Sequence, residues 1–318
     1  MFERLLVPLD TSPRAEAAID HVLAMALVRP VAVTLLHVLE PSVGGAGWDP
    51  LGYDLERGRV DAYLMAVADR LSAEVASVQV EVVDGRAAEV IARCAVDEHH
   101  DIVVLSEQGH GGPDGTGLGS VAHKLFSRAS VSVLLARTGR APPTDSAGRA
   151  IYRRILAPLD GSQRAEYALT AAGSIARAHE ARLHICHVLT APDLLASTLR
   201  SRSAQRHLTQ VLEVNRAESE AYVTEVARRL TAEGVEAQAV VHGEPDAPEH
   251  IHDAVGREDA DLVVVCAHGA SGAGNLPYGR AVQTLARFGT VPLLVVQDVE
   301  TSAFAPAAAR APDQRPGH

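Results

Sequence analysis

The chain has 318 residues, 47% hydrophobic and 22% charged, with a formal net charge of −11, which is enough for two ordinary domains that each bury a core. Aromatics at only 3% and the acidic balance disfavour nonspecific binding to nucleic acid or to an anionic membrane surface. Three scattered cysteines (Cys94, Cys186, Cys266) lack zinc or dithiol spacing, no apolar stretch reaches membrane-spanning length, and no basic leader precedes an apolar run, so the expectation is a soluble, cytoplasmic protein.

In chain order, short apolar runs lie at roughly 4–10, 31–39, 78–83, 101–106 and 131–136, and again at roughly 153–160, 182–189, 236–241, 261–266 and 291–296. Most are rich in Val, Ile and Leu without alternation, as in strands buried on both faces of a parallel sheet. After the first run, Ala15, Ile19, Val22 and Ala26 recur at helical spacing, and Leu169, Ala172 and Ala176 do so in the second set. Ser12 and Ser162 read as N-caps, with Pro13 at a first helical position. Between the sets, Arg137 to Ala150 reads as a linker, with Gly139, Pro142, Pro143 and Gly148 as breakers. The stretch 200–230 reads as a longer helix than its counterpart, carrying Leu208, Val211, Leu212, Val223 and Val226. From Thr301 the chain is Ala- and Pro-rich and reads as a disordered tail.

The two sets are copies. Leu5-Leu6-Val7-Pro8-Leu9-Asp10 returns as Ile155-Leu156-Ala157-Pro158-Leu159-Asp160, and His37-Val38 returns as His187-Val188. Strand–helix alternation then predicts two tandem doubly wound α/β domains, over 1–140 and 151–300, with 301–318 as the tail. Each copy also has a glycine-rich loop after its fourth apolar run. One is Ser106-Glu107-Gln108-Gly109, nine residues, then Gly119-Ser120-Val121; the other is Cys266-Ala267-His268-Gly269, nine residues, then Gly279-Arg280-Ala281. Such a loop at the carboxyl edge of a parallel sheet gathers backbone N–H groups and a helix N-terminus, the chemistry of a phosphate site. The plain alternative is a flexible connection, and the matched spacing tilts the reading toward phosphate.

These segments together resemble the universal stress protein family in tandem form, over nearly the whole chain apart from linker and tail. In the nucleotide-binding branch of that family, a Gly-x-x-Gly, nine-residue, Gly-Ser/Thr loop grips ATP phosphates. The resemblance therefore implies ATP, with Mg²⁺, held by Gly109, Gly119, Ser120 and Val121, and by Gly269, Gly279 and Arg280 in the second copy. It places Asp10 and Asp160 by adenine and ribose, Val38 and Val188 on the base, and Gly85 and Gly243 at a small turn beside the nucleotide. It also implies that the last strands pair antiparallel across a two-fold, within one chain or in a homodimer. The departures matter: Ser106 and Cys266 replace the first loop glycine, and Arg280 replaces the serine. Arg280 can pair with a phosphate or fill the space of one. Copy one is accordingly the expected ATP site.

Other candidates have bland readings. His37 and His187 read as satisfied core histidines. His99-His100 and the His250, His252, Asp253 group place no third ligand. Cys266 beside His268 admits a reactive thiol, against the commoner buried structural cysteine. No strong catalytic motif stands in the chain, so the expected function is that of an ATP-binding stress-response regulator with at most slow hydrolysis. The competing class is a nucleotide-free interaction module with degenerate sites.

Overall fold

The structure is a computed structural model that describes residues 2–40, 50–110, 117–128, 131–188, 202–242, 247–268 and 278–298. Gly243, Gly269 and the tail 301–318 lie outside the described residues, as do the side chains of Val188 and Arg280.

The first copy runs β1 (Arg4–Pro8), α1 (Ala17–Val28), β2 (Ala32–Leu39), α2 (Pro50–Leu71), β3 (Ser77–Asp84), α3 (Ala87–Asp97), β4 (Ile102–Ser106), α4 (Ser120–Arg128) and β5 (Ser132–Ala136). The second repeats it with β6 (Arg154–Leu159), α5 (Gln163–His179), β7 (Arg182–Val188), α6 (Arg202–Ala232), β8 (Ala237–His242), α7 (Ala247–Arg257), β9 (Leu262–Cys266), α8 (Arg280–Phe288) and β10 (Leu293–Val296). The expected long helix of the second copy is α6, at 31 residues against 22 for α2.

Strand order is β3-β2-β1-β4-β5-β10-β9-β6-β7-β8, so the two copies share one ten-stranded sheet. Every pairing within a copy is parallel. The join is antiparallel, with Leu135 opposite Leu293 and Val133 opposite Val295. The last strand of each copy thus covers the exposed edge of the other inside one chain. Alternate strand residues feed opposite faces: Leu5 and Val7 pack in the cluster with α1, α2, α5 and α6, and Leu6 in the one with α3, α4, α7 and α8. Burial on both faces explains the unalternating apolar runs.

Two tyrosines pin the copies together, one on each face. Tyr152, fully buried, shares a 2.7 Å hydrogen bond with His21 Nδ1 of α1 and lies against the His179 ring of α5. On the opposite face Tyr278 donates to the Val131 carbonyl at 2.5 Å and packs on Phe126. Arg137 does not behave as linker. Buried, it donates to the Leu285, Ala286 and Val291 carbonyls of the second copy while pairing with Glu107 at 2.8 Å. It satisfies carbonyls left over at the end of α8, the place where a helix favours a cation.

Ser162 caps α5 as expected, accepting from the Ala165 N–H at 3.1 Å. Ser12 accepts from the Ala15 N–H in the same way, but the regular helix begins only at Ala17. The intervening turn is tight: Ala15, Ala17, Ala18 and Ile19 donate to carbonyls three residues back. Just before it, Thr11 sits at φ 65°, where the second copy has Gly161 at φ 79°. Glycine takes that left-handed conformation freely, whereas a β-branched residue is strained there.

Candidate functional site

β1 leads across the sheet toward β2 and β3, whereas β4 leads the other way to β5, so the order reverses between β1 and β4. In open α/β sheets the crevice at the carboxyl ends beside such a reversal is where ligands bind. A cleft stands there, with a cavity volume of ≈ 130 Å³. The ends of β1, β2 and β4 supply Asp10, Val38 and Gly109, and the start of α4 supplies Gly119, Ser120 and Val121. Six of the seven first-copy positions singled out from sequence therefore meet in one place. The seventh, Gly85, does not line the cleft. It turns the chain between β3 and α3 at φ 147°, and a Cβ there would lie 2.7 Å from Val90 Cγ2.

Asp10 organises the polar side of the cleft. Its carboxylate accepts the Ser12 N–H at 3.0 Å and the His110 N–H at 2.6 Å. Burial pushes its carboxyl up, but the Ser12 hydroxyl and the His110 and Ser12 N–H groups outweigh that and hold it below the usual range. A Cβ on Gly109 would run into this carboxylate, and one on Gly119 would lie 3.1 Å from the Glu107 carbonyl. Both glycines are needed for close backbone approach. The Ser106 hydroxyl, in place of a glycine, bonds to the Gln108 carbonyl, and the Gln108 amide in turn donates to the Gly117 carbonyl at 3.1 Å. Glu107, also in the lining, has its carboxylate taken up by Arg137 and the Thr138 N–H. At the start of α4, the first-turn N–H groups of Ser120 and Val121 have no intrahelical carbonyl, the standard condition of a helix N-terminus. The cradle a Cβ would fill and this N-terminus suit an anion of phosphate type.

His37 is satisfied, sharing its Nδ1 with the Leu9 carbonyl at 2.7 Å, and it lines the cleft. His187 departs from expectation. Its Nδ1 is buried with no partner among the described residues, and burial holds its imidazole below the usual range. Its ring meets Tyr222 edge-on at 6.0 Å.

In the second copy, Asp160 accepts the Ser162 N–H at 3.1 Å and the Ser162 hydroxyl at 2.6 Å. Gly279 is the residue before α8, and Arg280 is its first residue. The crevice end of β9 is charged: His268 lies 2.7 Å from Asp298, which also faces Arg164 at 3.4 Å. His268 and Asp298 are almost wholly buried. The thiol reading of Cys266 fails in this setting. Burial, together with the neighbouring Asp298 carboxylate, pushes the thiol up to about 12, and His268 is engaged with Asp298.

No histidine pair gathers three donors among the described residues. His100 is a core histidine, bonded to Thr34 Oγ1 at 2.9 Å and to the Cys94 carbonyl at 3.2 Å. Among the described residues three potential metal donors do meet at Glu81, Cys94 and Glu98, with atoms within 4.8 Å of one another. They lie toward the C-terminal end of α3, away from Ala87 and Ile91, its residues at the cleft. Asp101 and Asp261 open the fourth strands and are structural ties: each accepts two backbone N–H groups from the chain entering β1 or β6.

Sequence reading missed the braces around both strand ends. Arg70 bonds Glu16 at 2.7 Å, and Arg229 bonds Glu166 at 2.6 Å while Tyr222 donates to the same carboxylate. Their repetition in both copies was the available signal.

The family model described as "Universal stress protein family" matches residues 1–137 and 151–297. A curated relative, a universal stress protein in the QAH/OAS sulfhydrylase 3′ region of Thermus aquaticus, is 31% identical over 148 residues, 46% of this chain and 100% of its own length. The solved structure of a universal stress protein from Archaeoglobus fulgidus is 18% identical, covers 92% of this chain and 96% of its own, and has a TM-score of 0.65. A universal stress protein solved in complex with cAMP matches 43% of this chain and 98% of its own at 19% identity, with a TM-score of 0.35. Among the described residues no helix is long and apolar enough to cross a membrane.

Proposed function

The chain belongs to the universal stress protein family, with two copies of the domain in tandem, and from that premise we propose that the first copy binds an adenine nucleotide as a stress-response regulator. The observation that carries the reading is the convergence of Asp10, Val38, Gly109, Gly119, Ser120 and Val121 on one cleft at the strand-order reversal. Gly109, Gly119 and the α4 N-terminus would hold the phosphates. Asp10 would serve ribose or adenine, and Val38 would pack on the base. Mg²⁺, when bound, supplies charge neutralisation on the phosphates. Ligand entry has a cost built in. The cleft is smaller than the ~300 Å³ of an ordinary small-molecule pocket, and Asp10 already occupies the His110 N–H.

The same contact favours a second reading, an interaction module whose cleft is closed by its own carboxylate. In that module the N–H groups of the loop serve folding alone. One experiment separates the two: acid-denature the purified protein and chromatograph the supernatant. Adenine nucleotide released in proportion to protein supports the first reading. Absence of nucleotide, with no ATP binding by the stripped protein, leaves the second.

The second copy is the weaker candidate. Its crevice carries the buried His268–Asp298 pair in place of neutral Gln108 and Thr138. Asp160, Val188, Gly243, Gly269, Gly279 and Arg280 belong to the proposal only as a lower-affinity or altered site. Association of two chains into a homodimer, and residence in the cytoplasm, belong to the same proposal.

A further inference from the structure

A second cavity, of ≈ 230 Å³, lies between α4 and α8 where the two copies meet. Its apolar lining is Leu118, Phe126, Ala286 and Phe288, and it includes Arg287. Phe288 is 64% exposed, unusual for a large aromatic, and the Arg287 guanidinium stands 5.4 Å from its ring centroid. Phe126 and Ala286 are buried beneath it, so Phe288 is the aromatic ring this cavity offers to solvent, with a cation beside it.

The charge on its two helices has one sign. Neither α4 (SVAHKLFSR) nor α8 (RAVQTLARF) contains an acidic residue, in a chain whose net charge is −11. Arg287, in the lining, is exposed on α8, and Lys124, the single lysine of the chain, is exposed on α4 next to the lining residue His123. Neither forms an ion pair with a described residue. A basic, aromatic-bearing groove in an acidic protein is complementary to a partner that is negative and apolar at once. A nucleic acid could stack a base on Phe288, but two cations in a chain of net charge −11 give its phosphate backbone little to hold.

We propose that the α4–α8 groove docks an acidic polypeptide segment, with an apolar side chain of the partner seated against Phe288 and its carboxylates facing Lys124 and Arg287. The site is separate from the nucleotide cleft, although α4 forms a wall of each.

The test uses the full chain and a short fluorescent peptide alternating glutamate with leucine and phenylalanine. Controls are the glutamine version, the lysine version and a single-stranded oligonucleotide. The acidic peptide should bind, more weakly as salt rises, and Phe288→Ala or Arg287→Glu should each weaken it about fivefold or more. Carbodiimide coupling should attach the peptide through the fragment containing Lys124. Both changed residues are exposed, so the variants keep the fold. The Lys124→Glu/Arg287→Glu double variant should turn the preference to the lysine peptide, a gain that misfolding cannot mimic. Equal binding of the glutamine version, affinity untouched by Phe288→Ala and Arg287→Glu, coupling only at the N-terminal amine, or tighter binding of the oligonucleotide would each overturn the proposal. A dimer dissolved by Phe288→Ala would overturn it as well, showing that a second copy fills the groove.

Discussion

The two copies share strand order, register and the braces at Glu16 and Glu166, yet differ where a ligand would sit. In the first, the crevice end of β4 offers Ser106 and Gln108 beside a cleft, with Thr138 nearby. In the second, the matching positions are Cys266, His268 and Asp298; His268 and Asp298 form a buried pair, and the exposed Arg164 faces Asp298. The scaffold was kept and its polar contents were exchanged. Side chains on the sheet's flanks hold the fold, while those at its carboxyl edge are free to diverge.

The copies also divide the work of the join unequally, and the largest expected effect tests that division. Arg137 in the first copy reaches across to the end of α8 with its guanidinium, whereas its counterpart Gln297 meets the other copy through its backbone N–H, 3.1 Å from Ser132 Oγ, and turns its side-chain oxygen to the Asp298 N–H at 3.2 Å. Burial pulls the Arg137 guanidinium down, and Glu107 opposes the shift. Arg137→Ala strands Glu107 and should cost about 3–5 kcal/mol in urea unfolding, against less than about 1 kcal/mol for Gln297→Ala. Equal costs would mean a symmetric join.

Acid should attack one face of that join first. Burial holds His21 and His179 down at about 4 from 6.5, and the Ala24 carbonyl only partly opposes this for His179. An unfolded chain binds the proton more readily than the folded one, so stability is complete above about pH 6.5 and falls as pH drops toward 4. For His21, fully buried beside Tyr152, the loss approaches about 3 kcal/mol. Denaturation curves at pH 7.5 and pH 4.5 should therefore diverge. His21→Leu should be less stable at pH 7.5 and lose part of the pH dependence; an unchanged slope would remove His21 from the account.

A smaller effect tests the turn after the strand-end aspartate. Thr11→Gly should stabilise the first copy by about 1 kcal/mol, and Gly161→Thr should destabilise the second by about 1–2 kcal/mol. The nearest atom to a Cβ at Gly161 is His187 Nε2 at 3.5 Å, an ordinary contact, so conformation alone sets that cost. The least effect is expected at the thiols. All three cysteines are buried, and Cys186 and Cys266 are pushed up to about 12 chiefly by that burial. Alkylation of the folded protein should be slow at Cys94, Cys186 and Cys266 alike, and a fast phase at Cys266 would restore the thiol reading.

The strands, the duplication and the first-copy cleft were legible because apolar runs and glycine spacing are local signals. Val103, Val104 and Leu105 announce a strand buried on both faces by composition alone, and Gly109 and Gly119 announce a close backbone approach. What stayed hidden depends on partners far along the chain. Arg137 looks like linker until α8 arrives to receive it, nearly 150 residues later. Tyr152 acquires meaning only between His21 and His179. His187 shares the His37 motif, and Leu159 repeats the Leu9 that serves His37, yet its Nδ1 has no partner among the described residues; that depends on the exact approach of two strands, which the motif does not set.

The central claim is that one copy, the first, holds the nucleotide. Calorimetric titration of the nucleotide-stripped protein with ATP and Mg²⁺ tests it most directly, in the parent chain and in Gly119→Val and Gly279→Val. The account predicts one site per chain, lost in Gly119→Val and retained in Gly279→Val. No binding by the parent chain, or binding that survives Gly119→Val and vanishes in Gly279→Val, would contradict it.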